Sequence, residues 1–211
     1  NGMMNITNNS NLKLGIVGHG FVGKATDWGF DNAIEKFIVD PLLNTTIDNL
    51  KLFDPEITFI CVPTPMGLDG NQDSEIIETV VEELAAKCPE TIIVVKSTVL
   101  PSVLIKLKAI SKNVIYNPEF LREKHANYDF ENSEFIIFGG QRKFCERLSE
   151  VYKLHSKCKT NEHIFTDLLS ASLIKYTINT FLATKVIFFN EINQVFRKLG
   201  TSDDWSKIIS V

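Results

Sequence analysis

The stretch Leu14-Gly15-Ile16-Val17-Gly18-His19-Gly20-Phe21-Val22-Gly23 constrains the fold of this chain more than any other. An apolar run ending in Gly-x-Gly-x-x-Gly reads as a buried strand, a tight turn and the start of a helix. Gly18 allows the turn, Gly20 the close approach of a diphosphate, and Gly23 the packing of helix against strand. The helix would aim its free amides and positive dipole end at that diphosphate. Asp40 closes the next apolar run, 22 residues after Gly18. A carboxylate there accepts hydrogen bonds from a ribose diol and repels a 2′-phosphate, so the pattern favours NAD over NADP. Glycines alone also fit a structural turn; the strand, helix and acid around them favour dinucleotide binding. His19 reads as a solvent-facing loop residue rather than a catalyst.

The rest of the chain supports an α/β fold with a mostly parallel, doubly wound sheet, because short apolar strands alternate with helical segments from Leu12 to about Phe165. Six strands are legible, over Leu12–Val17, Glu35–Val39, Ile57–Val62, Thr91–Val95, Asn113–Tyr116 and Phe135–Phe138. Asp73 can cap a helix carrying Ile76, Ile77, Val80, Val81 and Leu84 on one face, and a further helix covers Arg142–His155. From Thr166 to Gly200 there is no Gly or Pro, which allows roughly 50 Å of helix. Its apolar residues surround much of the cylinder, so it needs partners on several sides. Another helix is expected over Asp203–Ile209. The division expected is a polar leader over 1–11, a Rossmann domain over 12–165, and a long helix opening a helical region over 166–211.

Composition narrows the function classes. Acidic residues outnumber basic ones by 26 to 22, leaving a net charge of −4, with no cationic excess to displace counterions from nucleic acid. No apolar run approaches the roughly 20 residues that span a bilayer. Cys61, Cys88, Cys145 and Cys158 are scattered, with no ligand spacing for a metal. Reduced thiols and a cytoplasmic setting are expected.

Three segments beyond the glycine loop carry candidate chemistry. Val62-Pro63-Thr64-Pro65 and Lys96-Ser97-Thr98-Val99 follow apolar strands, where open α/β sheets bind ligands; they also read as plain strand-ending loops. Asn117-Pro118-Glu119-Phe120-Leu121-Arg122-Glu123 sets two carboxylates four residues apart, on one face if the segment is helical. A base beside a cation and a solvated helix start are both compatible with it. Lys175 and Asn179 share a face of the long helix, as an oxyanion-stabilising pair or as a snorkelling lysine beside an amide.

In this order these motifs, together with Lys-Tyr-x-x-Asn-x-Phe-Leu-Ala-x-Lys from Lys175, resemble the UDP-glucose/GDP-mannose dehydrogenase family over roughly Leu12–Gly200. The resemblance implies oxidation of a nucleotide-sugar C6 alcohol, as in UDP-glucose, to a carboxylate, with two NAD and a cysteine thioester. By the same resemblance Gly18, Gly20, Phe21, Val22, Gly23 and Asp40 hold the adenosine and diphosphate end of NAD. Thr64, Thr98 and Glu123 contact the cofactor. Glu119, Phe120, Leu121 and Glu123 line the sugar site, with Glu123 near the water chemistry, and Lys175 and Asn179 bind the sugar and stabilise its oxyanion. The long helix would build a homodimer.

The chain also departs from the family. Nothing matches the Gly-Gly-x-Cys-x-x-Lys-Asp segment that carries the family's nucleophile, and the nucleotide-binding C-terminal domain has no counterpart. Ser172 stands in place of a Glu, Lys124 in place of a Gly, and the stretch from Asp40 to Ile57 is short and lacks the usual Lys. A cofactor-binding portion unable to complete the chemistry alone is therefore the leading expectation. An inactive NAD-binding module working through a partner, and another Rossmann hydroxyacid dehydrogenase, are the alternatives.

Overall fold

The computed structural model describes residues 12–30, 34–68, 70–200 and 204–209; the leader assigned to 1–11 lies outside the described residues. In chain order the elements are β1 (Lys13–Val17), α1 (Phe21–Gly29), β2 (Glu35–Val39), α2 (Ile47–Phe53), β3 (Ile57–Ile60) and α3 (Glu75–Lys87). Then come β4 (Ile92–Val95), α4 (Pro101–Ile110), β5 (Val114–Tyr116), α5 (Ala126–Glu131), β6 (Ile136–Gly139), α6 (Arg142–His155), β7 (His163–Thr166), α7 (Leu168–Leu199) and α8 (Trp205–Ile209). The chain divides between Ser172 and Leu173 into two units, within α7.

In the first unit the described strands form one seven-stranded sheet, in the order β2-β1-β3-β4-β5-β6-β7. The ladders are parallel except where β5 meets β6 antiparallel, at Tyr116 and Gly139. The chain winds from β1 outward to β2, then crosses back to β3 on the other side of β1. That reversal leaves a crevice over the carboxyl ends of β1 and β3. Strands β3 and β4 are buried along their whole length, as a parallel sheet covered on both faces requires, which is why they read as unbroken apolar runs.

The sheet has one strand more than the six legible in the sequence. β7 is an edge strand paired only with β6, and its Ile164 is 41% exposed. Lacking burial on both faces, it carries no continuous apolar run. Helix α2 is equally short of periodic signal. It is set by a capping box in which the Thr46 hydroxyl and the Asn49 amide oxygen satisfy each other's backbone N–H groups. At the start of α3 the cap position belongs to Ser74, and Asp73 instead accepts the Glu75 N–H at 3.0 Å. Helix α6 spans the residues its periodicity indicates.

The core is strongly aromatic on one side of the sheet. Phe30 packs against Phe59 and Tyr152 at centroid distances of 5.2 and 5.0 Å, and Tyr152 meets Phe138 at 5.7 Å. Helix α1 reaches this cluster because Gly29 has no side chain: a Cβ there would lie 2.3 Å from the Phe130 ring on α5. Overpacking of this kind costs about 1–3 kcal/mol. Gly29→Ala should therefore lower the urea midpoint of unfolding, and pairing it with Phe130→Leu should recover part of the loss.

In the second unit, α7 continues to Leu199, and α8 turns Trp205 toward Phe196, with ring centroids 5.6 Å apart. Along α7, Leu173, Phe181, Val186, Ile187 and Leu199 are each more than half exposed.

Candidate functional site

The carboxyl ends of β1 to β5 open on one groove of about 390 Å³. Its floor is the glycine turn. Gly18 adopts φ +93°, a left-handed conformation that costs glycine nothing, and a Cβ there would lie 2.8 Å from the Cys61 carbonyl. Gly23 is pressed still closer: its Cβ would stand 2.0 Å from the Gly18 carbonyl. Helix α1 thus begins hard against the turn, with Gly20 at its N-cap and open space in front of it. The first amides of such a helix have no acceptor within it and face whatever fills the groove.

Asp40 follows β2 at one end. Its two carboxylate oxygens accept the Leu42 N–H at 2.9 Å and the His19 N–H at 2.8 Å. These amides, Leu42 first and His19 next, hold the carboxyl below the usual aspartate range. Asp40 therefore ties the glycine turn to the end of β2, and each oxygen keeps a lone pair for a ligand. His19 proves only partly solvent-facing, because its ring lies 3.7 Å from the Asp27 carboxylate and is 22% exposed.

The other end of the groove is built by the loops after β3, β4 and β5. Lys96, Ser97 and Thr98 point three ways. Lys96 turns into the core, donating to the Asn117 amide oxygen at 3.0 Å and the Tyr152 hydroxyl at 3.2 Å. Ser97 donates to the Val62 carbonyl at 2.6 Å, and Thr98 lines the groove with Thr64. The Thr64 hydroxyl donates to the Thr98 carbonyl at 2.8 Å. Glu119 closes the groove beyond β5.

The structure thus brings together Gly18, Gly20, Phe21, Val22, Asp40, Thr64, Thr98 and Glu119. Gly23 lies beneath, as packing. The shared helical face proposed for Glu119 and Glu123 is not there: residues 117–122 are irregular and Glu123 opens a short 3₁₀ turn. Pro118 restricts only the residue before it, Asn117, and would suit the first turn of a helix as Pro101 does in α4; it does not account for the irregular course of residues 119–122. Glu123 lines a separate hollow of about 430 Å³ with Phe21, Lys24 and Tyr128. Phe120 packs edge-on against Phe135, and Leu121 lies against the apolar core. Lys175 and Asn179 sit one turn apart on α7, in the second unit. Asn117 and Tyr152, which no motif spacing marks as polar partners of Lys96, are the internal supports that sequence reasoning leaves out.

None of the four cysteines is paired. Burial raises all four thiols, Cys61 to about 12 and Cys145 to about 11, so they stay protonated at neutral pH. Among the described residues no helix is long and apolar enough to cross a membrane, and no cluster of His, Cys, Asp or Glu could hold a metal ion.

A doubly wound sheet with a glycine turn and an acid after the second strand defines a dinucleotide-binding protein. Residues 26–156 match the NAD-binding domain of the UDP-glucose/GDP-mannose dehydrogenase family, and the chain belongs to that family. It is 33% identical over 185 residues to a UDP-glucose 6-dehydrogenase of Rickettsia bellii, covering 81% of this chain and 42% of that one. It is 35% identical to UDP-glucose 6-dehydrogenase YwqF of Bacillus subtilis, covering 82% and 41%. An uncharacterised protein of Methanocaldococcus jannaschii is 36% identical over 182 residues, covering 81% of this chain and 20% of that protein. The chain therefore spans less than half the length of these relatives. Among solved structures, a ternary complex of GDP-mannose dehydrogenase from Pseudomonas aeruginosa superposes with a TM-score of 0.75 at 25% identity, covering 93% of this chain and 55% of that one.

Because folding lowers the pKa of Asp40, its ionised form contributes stability above the ordinary value of 3.8. That contribution is lost as pH falls through the folded value. A carboxyl NMR titration should place Asp40 below 3.8, and Asp40→Ala should flatten the acid limb of the unfolding curve.

Proposed function

We propose that this chain is the cofactor-binding portion of a nucleotide-sugar dehydrogenase that oxidises the C6 alcohol of UDP-glucose or a similar sugar nucleotide to a carboxylate. The observation that carries the reading is the single groove that Asp40, the glycine turn, Thr64, Thr98 and Glu119 share. Its close turn, its open space before Gly20 and its two-oxygen acid fit NAD, the cofactor of the family. Bound NAD supplies the hydride acceptor.

The chain's residues do the rest of the binding. Asp40 accepts from the adenosine ribose hydroxyls and repels a 2′-phosphate. The first amides of α1, at Phe21 and Val22, meet the diphosphate. Thr64 and Thr98 present hydroxyls to the far half of the cofactor. By the motif resemblance Glu119, Phe120 and Leu121 take a sugar-binding role, and Lys175 and Asn179 a role in holding a sugar and its oxyanion. Glu123, which lines the neighbouring hollow, takes by the same resemblance a role at the cofactor and in the water chemistry. The exposed apolar residues of α7, among them Phe181, Val186 and Ile187, support a homodimer through that helix; sedimentation at micromolar concentration should give twice the chain mass. The unpaired cysteines agree with a reducing compartment.

Calorimetric titration with NAD should give saturable binding. Asp40→Ala should weaken it about tenfold, the equivalent of one hydrogen bond to a charged group. A folded chain that does not bind NAD would sink the reading. Incubation with UDP-glucose and NAD should give no sustained NADH, because covalent catalysis needs an activated thiolate and all four thiols here are held protonated.

A further inference from the structure

The loop after β3 folds back on itself, with Met66 and Gln72 bridging antiparallel and the Asp73 N–H bonded to the Pro65 carbonyl at 2.8 Å. This delivers the Gln72 side chain between the two loops that build the far end of the groove. Its Nε2 donates to the Thr98 carbonyl at 2.8 Å and to the Thr64 carbonyl at 3.2 Å. Its Oε1 accepts the Leu100 N–H at 2.9 Å. Two carbonyls face the nitrogen and one amide faces the oxygen, so both amide hydrogens and one acceptor site are matched and a flipped carboxamide would lose all three bonds.

Strands β3 and β4 are held by their ladder only as far as Ile60 and Val95. Beyond that point the twist of roughly 20–25° between neighbours carries the chains apart. Ser97 bridges the gap near the sheet through Val62, and further out Gln72 and the Thr64 hydroxyl take over. We infer that Gln72 is a positioning residue for the nicotinamide half of the cofactor: it sets the spacing of Thr64 and Thr98, and with it the shape of that end of the groove. The inference rests on the NAD reading given above. Asp40 lies at the end of β2, three strand spacings from β4, roughly 14 Å away at about 4.8 Å per strand. A change at Gln72 therefore acts on the half of the ligand over β3 and β4 and leaves the adenosine end alone.

The test compares ADP with NAD on the 211-residue chain by calorimetry, in wild type, Gln72→Met and Gln72→Glu. Methionine keeps the length and loses every bond. Glutamate keeps an acceptor for Leu100 and sets a carboxylate against two carbonyls. Both variants should unfold cooperatively and bind ADP within twofold of wild type, while NAD binding falls about tenfold, the loss expected for hydrogen bonds of this kind. An unchanged NAD affinity, or equal losses for ADP and NAD, including loss of the fold itself, overturns the inference. Wild type that binds ADP but gains nothing from the nicotinamide half overturns it too. Folded wild type that binds neither ligand instead overturns the cofactor reading of the groove.

Discussion

Lys96 stands where the apolar core meets the groove, 3% exposed, and the loops around it are arranged to satisfy its charge. An ammonium taken out of water without compensation costs several kcal/mol. Asn117 and Tyr152 both turn oxygens toward it, and the Tyr152 hydroxyl in turn donates to the Asn117 oxygen at 2.8 Å. The Asn117 amide nitrogen donates to the Ile137 carbonyl at 2.8 Å. One network therefore joins the ends of β4 and β5 to β6 and α6. The next two residues after Asn117 are Pro118 and Glu119, so the same network that meets the charge of a lysine also places a carboxylate at the rim of the groove.

The loops beyond the strands combine support and groove lining in neighbouring residues. In Lys96-Ser97-Thr98 one side chain serves the core, one staples two loops and one faces the groove. In Cys61-Val62-Pro63-Thr64 all four residues border the groove, with the Cys61 thiol buried beneath it. Bordering the groove and holding the loops together are not exclusive: Ser97 does both. Part of each motif holds the other part still, through bonds such as that from Ser97 to the Val62 carbonyl.

The parts of this arrangement that were legible in the sequence are those with a local physical signature. The glycine turn, the buried strands, the amphipathic α6 and the long α7 all follow from spacing or from burial on both faces. Asp40 is legible because its distance from the turn is fixed by one helix and one strand. β7 was not, because an edge strand half open to solvent has no reason to be apolar throughout. The shared face considered for Glu119 and Glu123 is absent because carboxylate spacing is indifferent to the backbone beneath it, and that backbone is irregular as far as the short turn at Glu123. Gln72 was invisible for a different reason: its partners are carbonyls and an amide, which every residue possesses, so no side-chain pattern announces them.

Asp40 shows how far structural support and recognition can reside in one group. A carboxylate offers about four acceptor directions, and two are spent on the amides of His19 and Leu42, which join the glycine turn to the end of β2. Those two bonds also lower its pKa below the ordinary 3.8, in a group that is ionised at neutral pH even without them. The same two hydrogen bonds hold the turn and orient the carboxylate. An amide in that place would have to turn its NH₂ toward one of the two backbone N–H groups, losing a bond to the turn as well as the charge. The acid is thereby fixed in place by the fold, and its remaining acceptor directions are set by how the glycine turn is held.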